Sequence, residues 1–174
     1  VVNLYPFLEM TLQDKSLAEM VEYIDIGGPA MLRAAAKNYE FVTTLHHPGQ
    51  YKDFLEIWKQ NDFQIPFKVR EKLATDVFFY TAFYDSQISK YLDDQIENTP
   101  LPQRFAQFFQ KDHDLRYGEN PHQSGALYQP WSAKAAEKKS IEQLWGKEMS
   151  FNNYVDVTAA LFAVMEFDKP TVAI

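Results

Sequence analysis

Ile24-Asp25-Ile26-Gly27-Gly28-Pro29-Ala30-Met31-Leu32-Arg33-Ala34-Ala35-Ala36-Lys37 is the stretch on which the fold class turns. A short apolar run leads into two glycines. Proline follows where a helix begins and its missing N–H costs nothing. The Ala-rich segment Pro29–Lys37 predicts a helix that stops near Asn38, a C-cap residue. Upstream, Val1 to Leu4 is β-prone and ends at Tyr5-Pro6, where proline removes a ladder donor. Leu17, Met20, Val21 and Ile24 share one face at helical spacing, which predicts a helix from about Ser16 to Tyr23. Downstream, Phe41–Leu45 is expected as a strand, His46-His47-Pro48-Gly49 as a turn and Tyr51–Gln60 as a short helix. Helix and strand in alternation predict an α/β layered domain.

Further along, Val69, Leu73, Val77, Tyr80, Tyr84, Ile88 and Tyr91 recur every three or four residues. They predict a long helix over Phe67–Asp94 whose aromatic stripe is core or a packing interface. Ile96 to Pro102 is the best linker candidate. The domain boundary is placed there, between 1–98 and 99–174. Beyond it, extended stretches at Arg104–Tyr117 and Ala126–Gln129 precede a loop and a helix over about Asn153–Phe167. Pro170–Ile174 reads as a further strand. A chain that opens and closes in core strands is expected to be an excerpt of a longer polypeptide, because cut cores and bare edges are costly.

Composition narrows the function classes. At 46% hydrophobic and 24% charged, the chain has the make-up of a globular protein rather than a disordered one. Its net charge of −7 offers no general attraction for nucleic acid or anionic membranes. Phosphate binding would have to rest on a few placed cations and backbone N–H groups. The absence of cysteine excludes thiol-based metal and redox chemistry and fits a reducing cytoplasm. No run is apolar for long enough to span a bilayer.

Three segments can carry chemistry. At Asp25–Lys37 the glycines let backbone N–H groups approach a ligand, and the helix start favours negative charge. Arg33 and Lys37, four apart, lie on one helix face. Asp25, at the mouth of the turn, can exchange protons with a substrate. The plain alternative is a capped surface helix with solvated charges. Arg116-Tyr117-Gly118-Glu119-Asn120-Pro121-His122-Gln123 packs a cation, a phenol, a carboxylate, amides and an imidazole into a loop shaped by Gly118 and Asn120-Pro121. An ordinary polar turn with an exposed histidine explains it equally. In Gly146–Asn153, Ser150 or an asparagine can simply cap the next helix; a ligand-facing amide is the sharper reading. His46 and His47 have no third ligand nearby and are expected to face solvent rather than a metal.

Taken in this order, with Asn3-Leu4-Tyr5-Pro6-Phe7 ahead of them, these segments resemble the bifunctional purine-synthesis enzymes, AICAR formyltransferase/IMP cyclohydrolase. The first two stretches look like the cyclohydrolase half, and Arg116–Gln123 and Gly146–Asn153 look like the opening of the formyltransferase half. The resemblance implies part of a methylglyoxal-synthase-like parallel-sheet domain joined to the start of a cytidine-deaminase-like α/β domain without that family's zinc. It implies the last two steps of purine synthesis. A formyl group passes from 10-formyltetrahydrofolate to AICAR, and formyl-AICAR then closes to IMP with loss of water. Tyr5, Asp25 and Lys37 match residues around the ring-closing nucleotide, and Asn3, Gly27 and Gly28 would help hold it.

In the second half, Arg116 and Tyr117 match residues that meet the AICAR phosphate. His122 matches one near the carboxamide, and Asn153 one near the reacting amine. The resemblance further implies a cytoplasmic homodimer with no metal, nucleic-acid or membrane partner. It places the formyltransferase Lys-His motif beyond Ile174 and a Ser- and Lys-rich phosphate site ahead of Val1. The rival readings are a stand-alone cyclohydrolase and a non-catalytic purine-nucleotide-binding module.

Overall fold

The computed structural model describes residues 1–96, 101–131, 141 and 143–173. Contacts divide the chain into two units, Val1–Ala106 and Gln107–Ile174. The expected boundary at Asn98-Thr99, and most of the linker candidate with it, lies outside the described residues.

The first unit runs α1 (Phe7–Met10), α2 (Leu17–Val21), α3 (Gly27–Lys37), a single 3-10 turn (Pro48–Gln50), α4 (Tyr51–Gln60) and α5 (Phe67–Ile96). Ser16 starts α2 with a reciprocal capping box: its hydroxyl accepts from the Glu19 N–H, and the Glu19 carboxylate accepts from the Ser16 N–H. The N–H of Asn38, the C-cap of α3, reaches the carbonyls of Ala35 and Ala36. The expected helices at Ser16–Tyr23, Pro29–Lys37, Tyr51–Gln60 and Phe67–Asp94 are all present within a few residues. Helix α3 begins two residues early, at Gly27, so Pro29 stands third and still needs no partner for its nitrogen.

Helix α5 organises this unit. Leu32 and Ala36 of α3 bury against Ala74 and Val77 of α5, with Val2, Leu4, Tyr39 and Tyr80 packed around them. A second cluster joins Phe7, Met20 and Tyr84, with Leu4, Tyr23, Ile24, Ile88 and Tyr91 at its edge. Full burial of Leu32 or Val77 contributes about 1.5–3 kcal/mol each. Leu4 belongs to both clusters and so draws the amino-terminal segment across α3 and α5. The Arg70 guanidinium clamps the chain between α3 and α5, donating to the carbonyls of Tyr39, Glu40 and Ile65.

The two expected strands of this unit are corrected here. Val1–Leu4 and Phe41–Leu45 run as irregular chain rather than strands, and one backbone bond, from the Val2 N–H to the Leu45 carbonyl at 3.0 Å, links them. A strand is defined by a repeating ladder, and a single rung does not make one. Phe41, expected at the start of a strand, is 76% exposed in a turn. The parallel sheet is likewise not found among the described residues. The sheet they form has two antiparallel strands and lies in the second unit.

That unit consists of β1 (Phe109–Asp114), β2 (Ala126–Pro130) and α6 (Phe151–Met165). Phe109 pairs with Pro130 and Asp114 with Ala126, with a bulge between Lys111 and His113. Ser150 caps α6 through a second capping box, with Asn153 as its other member. No side chain of α6 is buried among the described residues. Phe162, Met165 and Phe167 are each more than 60% exposed. Residues 170–173, expected as a strand, are unpaired chain.

Candidate functional site

In the first unit the Gly-Gly turn is built from three directions. The Asp25 carboxylate accepts the Gly28 N–H through Oδ1 at 2.7 Å, which ties the residue before the turn to the first turn of α3. Its Oδ2 accepts no hydrogen bond among the described residues. From α5, the buried Tyr84 hydroxyl accepts the Asp25 N–H at 2.8 Å and donates to the Tyr23 carbonyl at 3.2 Å. From the amino-terminal segment, Leu4 packs against the turn. A Cβ on Gly28 would collide with Asp25 Oδ2 and come within 2.6 Å of Leu4 Cδ2. Gly28 is therefore fixed by close approach. Gly27 is the opposite case, with nothing within 4 Å of the same position. One glycine serves packing, and the other leaves a face of the helix start open.

Asp25, Gly27 and Gly28 thus sit together, with the Asn3–Tyr5 stretch drawn to them by Leu4. Tyr5 is 56% exposed. The Asn3 side-chain oxygen accepts from the Tyr51 hydroxyl at 2.8 Å. Lys37 is exposed in the last turn of α3, about 15 Å of helix rise beyond Gly27, and forms no ion pair with Asp25. Arg33 turns away to lie over the Phe78 ring at 5.4 Å. Sequence spacing missed Tyr84 and Tyr51, because each acts across more than forty residues. The stripe to which Tyr84 belongs signalled burial but not what its hydroxyl would reach.

His46 departs from expectation. It is 6% exposed, lies with its ring 4.7 Å from that of Tyr80, and its Nδ1 has no hydrogen-bond partner. Burial holds its pKa below the ordinary 6.5, against the opposing pull of the Asp76 carboxylate and with help from His47. His47 is exposed, and its Nδ1 accepts from the Gly49 N–H to cap the 3-10 turn. Among the described residues no cluster of His, Asp and Glu could hold a metal.

In the second unit the two polar segments meet. The Arg116 N–H donates to the Met149 carbonyl, the Phe151 N–H to the Tyr117 carbonyl, and the Asn152 amide to the Glu119 carbonyl. The loop closes on itself through the Gly118 N–H to the Gln123 carbonyl, 2.7 Å, and a Cβ on Gly118 would stand 3.0 Å from Gln123 Cβ and the Ser124 carbonyl. Arg116 stacks over the Tyr117 ring and donates to its hydroxyl at 3.3 Å. The Ser150 hydroxyl, and then Arg116, hold the Tyr117 phenol below its ordinary pKa. His122 is exposed. Asn153 turns its side-chain oxygen back to the Ser150 N–H and hydroxyl, both at 3.0 Å, so the capping reading accounts for that oxygen. A further line of groups went unread in the sequence: Asp112 to His113 at 2.7 Å, and His113 to the Tyr154 hydroxyl at 3.3 Å.

Residues 35–174 match the family described as the AICARFT/IMPCHase bienzyme. The bifunctional purine biosynthesis protein PurH of Acetivibrio thermocellus is 43% identical over 173 residues, which is 99% of this chain and 34% of that protein. A Bacillus cereus protein of the same name is 44% identical over the same shares. The chain therefore spans about a third of the length of the curated relatives it matches. Among solved structures, the one titled "Crystal structure of ForH" shares 32% identity, covering 52% of this chain and 47% of its own, with a TM-score of 0.41. The family match covers α4, α5 and the whole second unit, and the relatives extend it back over the Gly-Gly turn: the chain belongs to the AICARFT/IMPCHase bienzyme family.

Proposed function

We propose that this chain supplies parts of both active sites of a two-step enzyme that formylates AICAR and closes the product to IMP. Residues 1–98 are read as the later part of a methylglyoxal-synthase-like cyclohydrolase domain. Residues 99–174 are read as the linker and opening of a cytidine-deaminase-like formyltransferase domain. The uncovered apolar surface of α6 fits a domain that continues in the longer polypeptide. The formyl donor is 10-formyltetrahydrofolate, and the working form is a cytoplasmic homodimer.

The observation that carries the reading is the Asp25–Gly28 turn, a carboxylate pinned by one oxygen at the open start of a helix. In ring closure the carboxamide nitrogen adds to the formyl carbon, and the former formyl oxygen leaves as water. The carboxamide nitrogen gives up one proton, the formamide nitrogen gives up the other as the ring double bond forms, and the departing oxygen gains both. In this reading Asp25 Oδ2, which accepts no hydrogen bond among the described residues, takes one such proton. Gly27 leaves room for the nucleotide, with Asn3 and Gly28 shaping the rest of its seat. Tyr5 positions the base and Lys37 supplies positive charge. In the second unit Arg116 and Tyr117 meet the AICAR phosphate, a fixed cation beside an acidified phenol. His122 approaches the carboxamide, and Asn153 stands near the reacting amine.

The test is IMP formation from supplied formyl-AICAR by the protein as expressed from its own gene. Turnover that falls at least tenfold in Asp25→Asn is expected, because asparagine keeps the acceptor for the Gly28 N–H and loses only the base. Nucleotide binding without turnover would overturn the enzyme reading and leave the binding module.

A further inference from the structure

Of the buried polar groups in the first unit, Tyr84 is the one whose hydrogen bonds end at the candidate site. It is 4% exposed, and its ring is held edge-on against Phe7 at 6.4 Å, within the cluster of Phe7 and Met20. Its hydroxyl makes two bonds, one taken from the Asp25 N–H and one given to the Tyr23 carbonyl. Those bonds bracket Ile24 and fix the backbone on which the Asp25 side chain is mounted. The chain between α2 and α3 has no regular partner of its own, so a group from α5, some sixty residues on, sets its path. Burial raises the phenol above its ordinary pKa, so the hydroxyl keeps the proton it gives to Tyr23.

We propose that Tyr84 is a positioning residue for ring closure, holding the backbone at Tyr23 and Asp25 so that the Asp25 carboxylate stands at the Gly27-Gly28 turn in its reacting geometry. This rests on the cyclohydrolase reading above. The path of control is short. Tyr84 fixes the Asp25 amide, Asp25 Oδ1 fixes the Gly28 amide, and Asp25 Oδ2 stands where a side chain on Gly28 would be. Removing the hydroxyl leaves a partly buried N–H and C=O unpaired and lets the carboxylate wander. The ring and its apolar packing stay in place. Small losses of alignment act on the chemical step more than on binding.

The experiment compares wild type, Tyr84→Phe and Asp25→Asn, each as the polypeptide expressed from its own gene. Cyclisation of formyl-AICAR and formyl transfer to AICAR are both followed. Tyr84→Phe is expected to lower the cyclisation kcat about tenfold, with KM for formyl-AICAR within about twofold and formyl transfer unchanged. Tyr84→Phe equal to wild type, beside a slow Asp25→Asn, overturns the positioning role and leaves the cyclohydrolase reading standing. Asp25→Asn equal to wild type overturns both. Should Tyr84→Phe lose both activities together, amide hydrogen exchange in the wild type decides. Protection of the Asp25 N–H supports the proposal, and exchange at the rate of an open turn overturns it.

Discussion

Adjacent glycines in the turn carry different duties, and single substitutions separate them. Gly28→Ala places a methyl group against Asp25 Oδ2 and Leu4. It is expected to lower thermal stability, by about 1–3 kcal/mol for overpacking, and to lose ring closure with it. Gly27→Ala meets nothing and should leave the unfolding temperature unchanged. Ring closure lost in Gly27→Ala with stability kept would then report the ligand's approach. His46 gives a pH prediction at the same scale. Unfolded, its ring takes a proton near pH 6.5; folded, burial pushes that lower. Its contribution is fully present above the unfolded value and is lost as pH falls from there through the folded one. His46→Phe keeps a ring against Tyr80 and removes both the titration and the unpaired Nδ1. The variant should match or exceed wild type in melting temperature at pH 7 and lose less than wild type on acidification to about pH 5. A steeper acid loss in the variant would contradict this account of His46.

At the scale of elements, the helices were legible because their information is local. The apolar stripe of α5, the Ser16 cap of α2 and the Asn38 cap of α3 are all set by residues within a few positions of one another. The strands were legible only in part, because pairing depends on distant partners: the extended stretches at Arg104–Tyr117 and Ala126–Gln129 hold β1 and β2, whereas Val1–Leu4 and Phe41–Leu45 are irregular chain. Val2 and Leu45 carry strand propensity, yet a single bond joins their segments. His46 escaped for a related reason: a histidine in a turn reads as exposed until the Tyr80 face of α5 is laid over it. Asn153 lay between two readings, and the capping box claims its oxygen. Ser150, 1% exposed, caps α6 and also holds the Tyr117 phenol below its ordinary pKa. Ser150→Ala is expected to cost about 1 kcal/mol in thermal unfolding and to let the Tyr117 pKa rise toward its ordinary value in an ultraviolet titration. An unmoved Tyr117 would show that Arg116 alone sets it.

Across the whole molecule, the chain belongs to a family whose curated members are about three times its length. That accounts for what the sequence could and could not reveal. The Asp25–Gly28 turn is local and was readable, whereas its support from Tyr84 required the fold. The Arg116–Gln123 and Gly146–Asn153 segments were readable as polar loops, and the structure joined them into one surface. On the proposed reading, ring closure rests on the Asp25 turn while formyl transfer rests elsewhere. The most direct test supplies AICAR and 10-formyltetrahydrofolate to wild type and Asp25→Asn proteins expressed from their own gene, and follows both products over time. Wild type should carry AICAR through to IMP, and Asp25→Asn should form formyl-AICAR at the same rate and accumulate it. IMP appearing as fast from the variant as from wild type would contradict the claim.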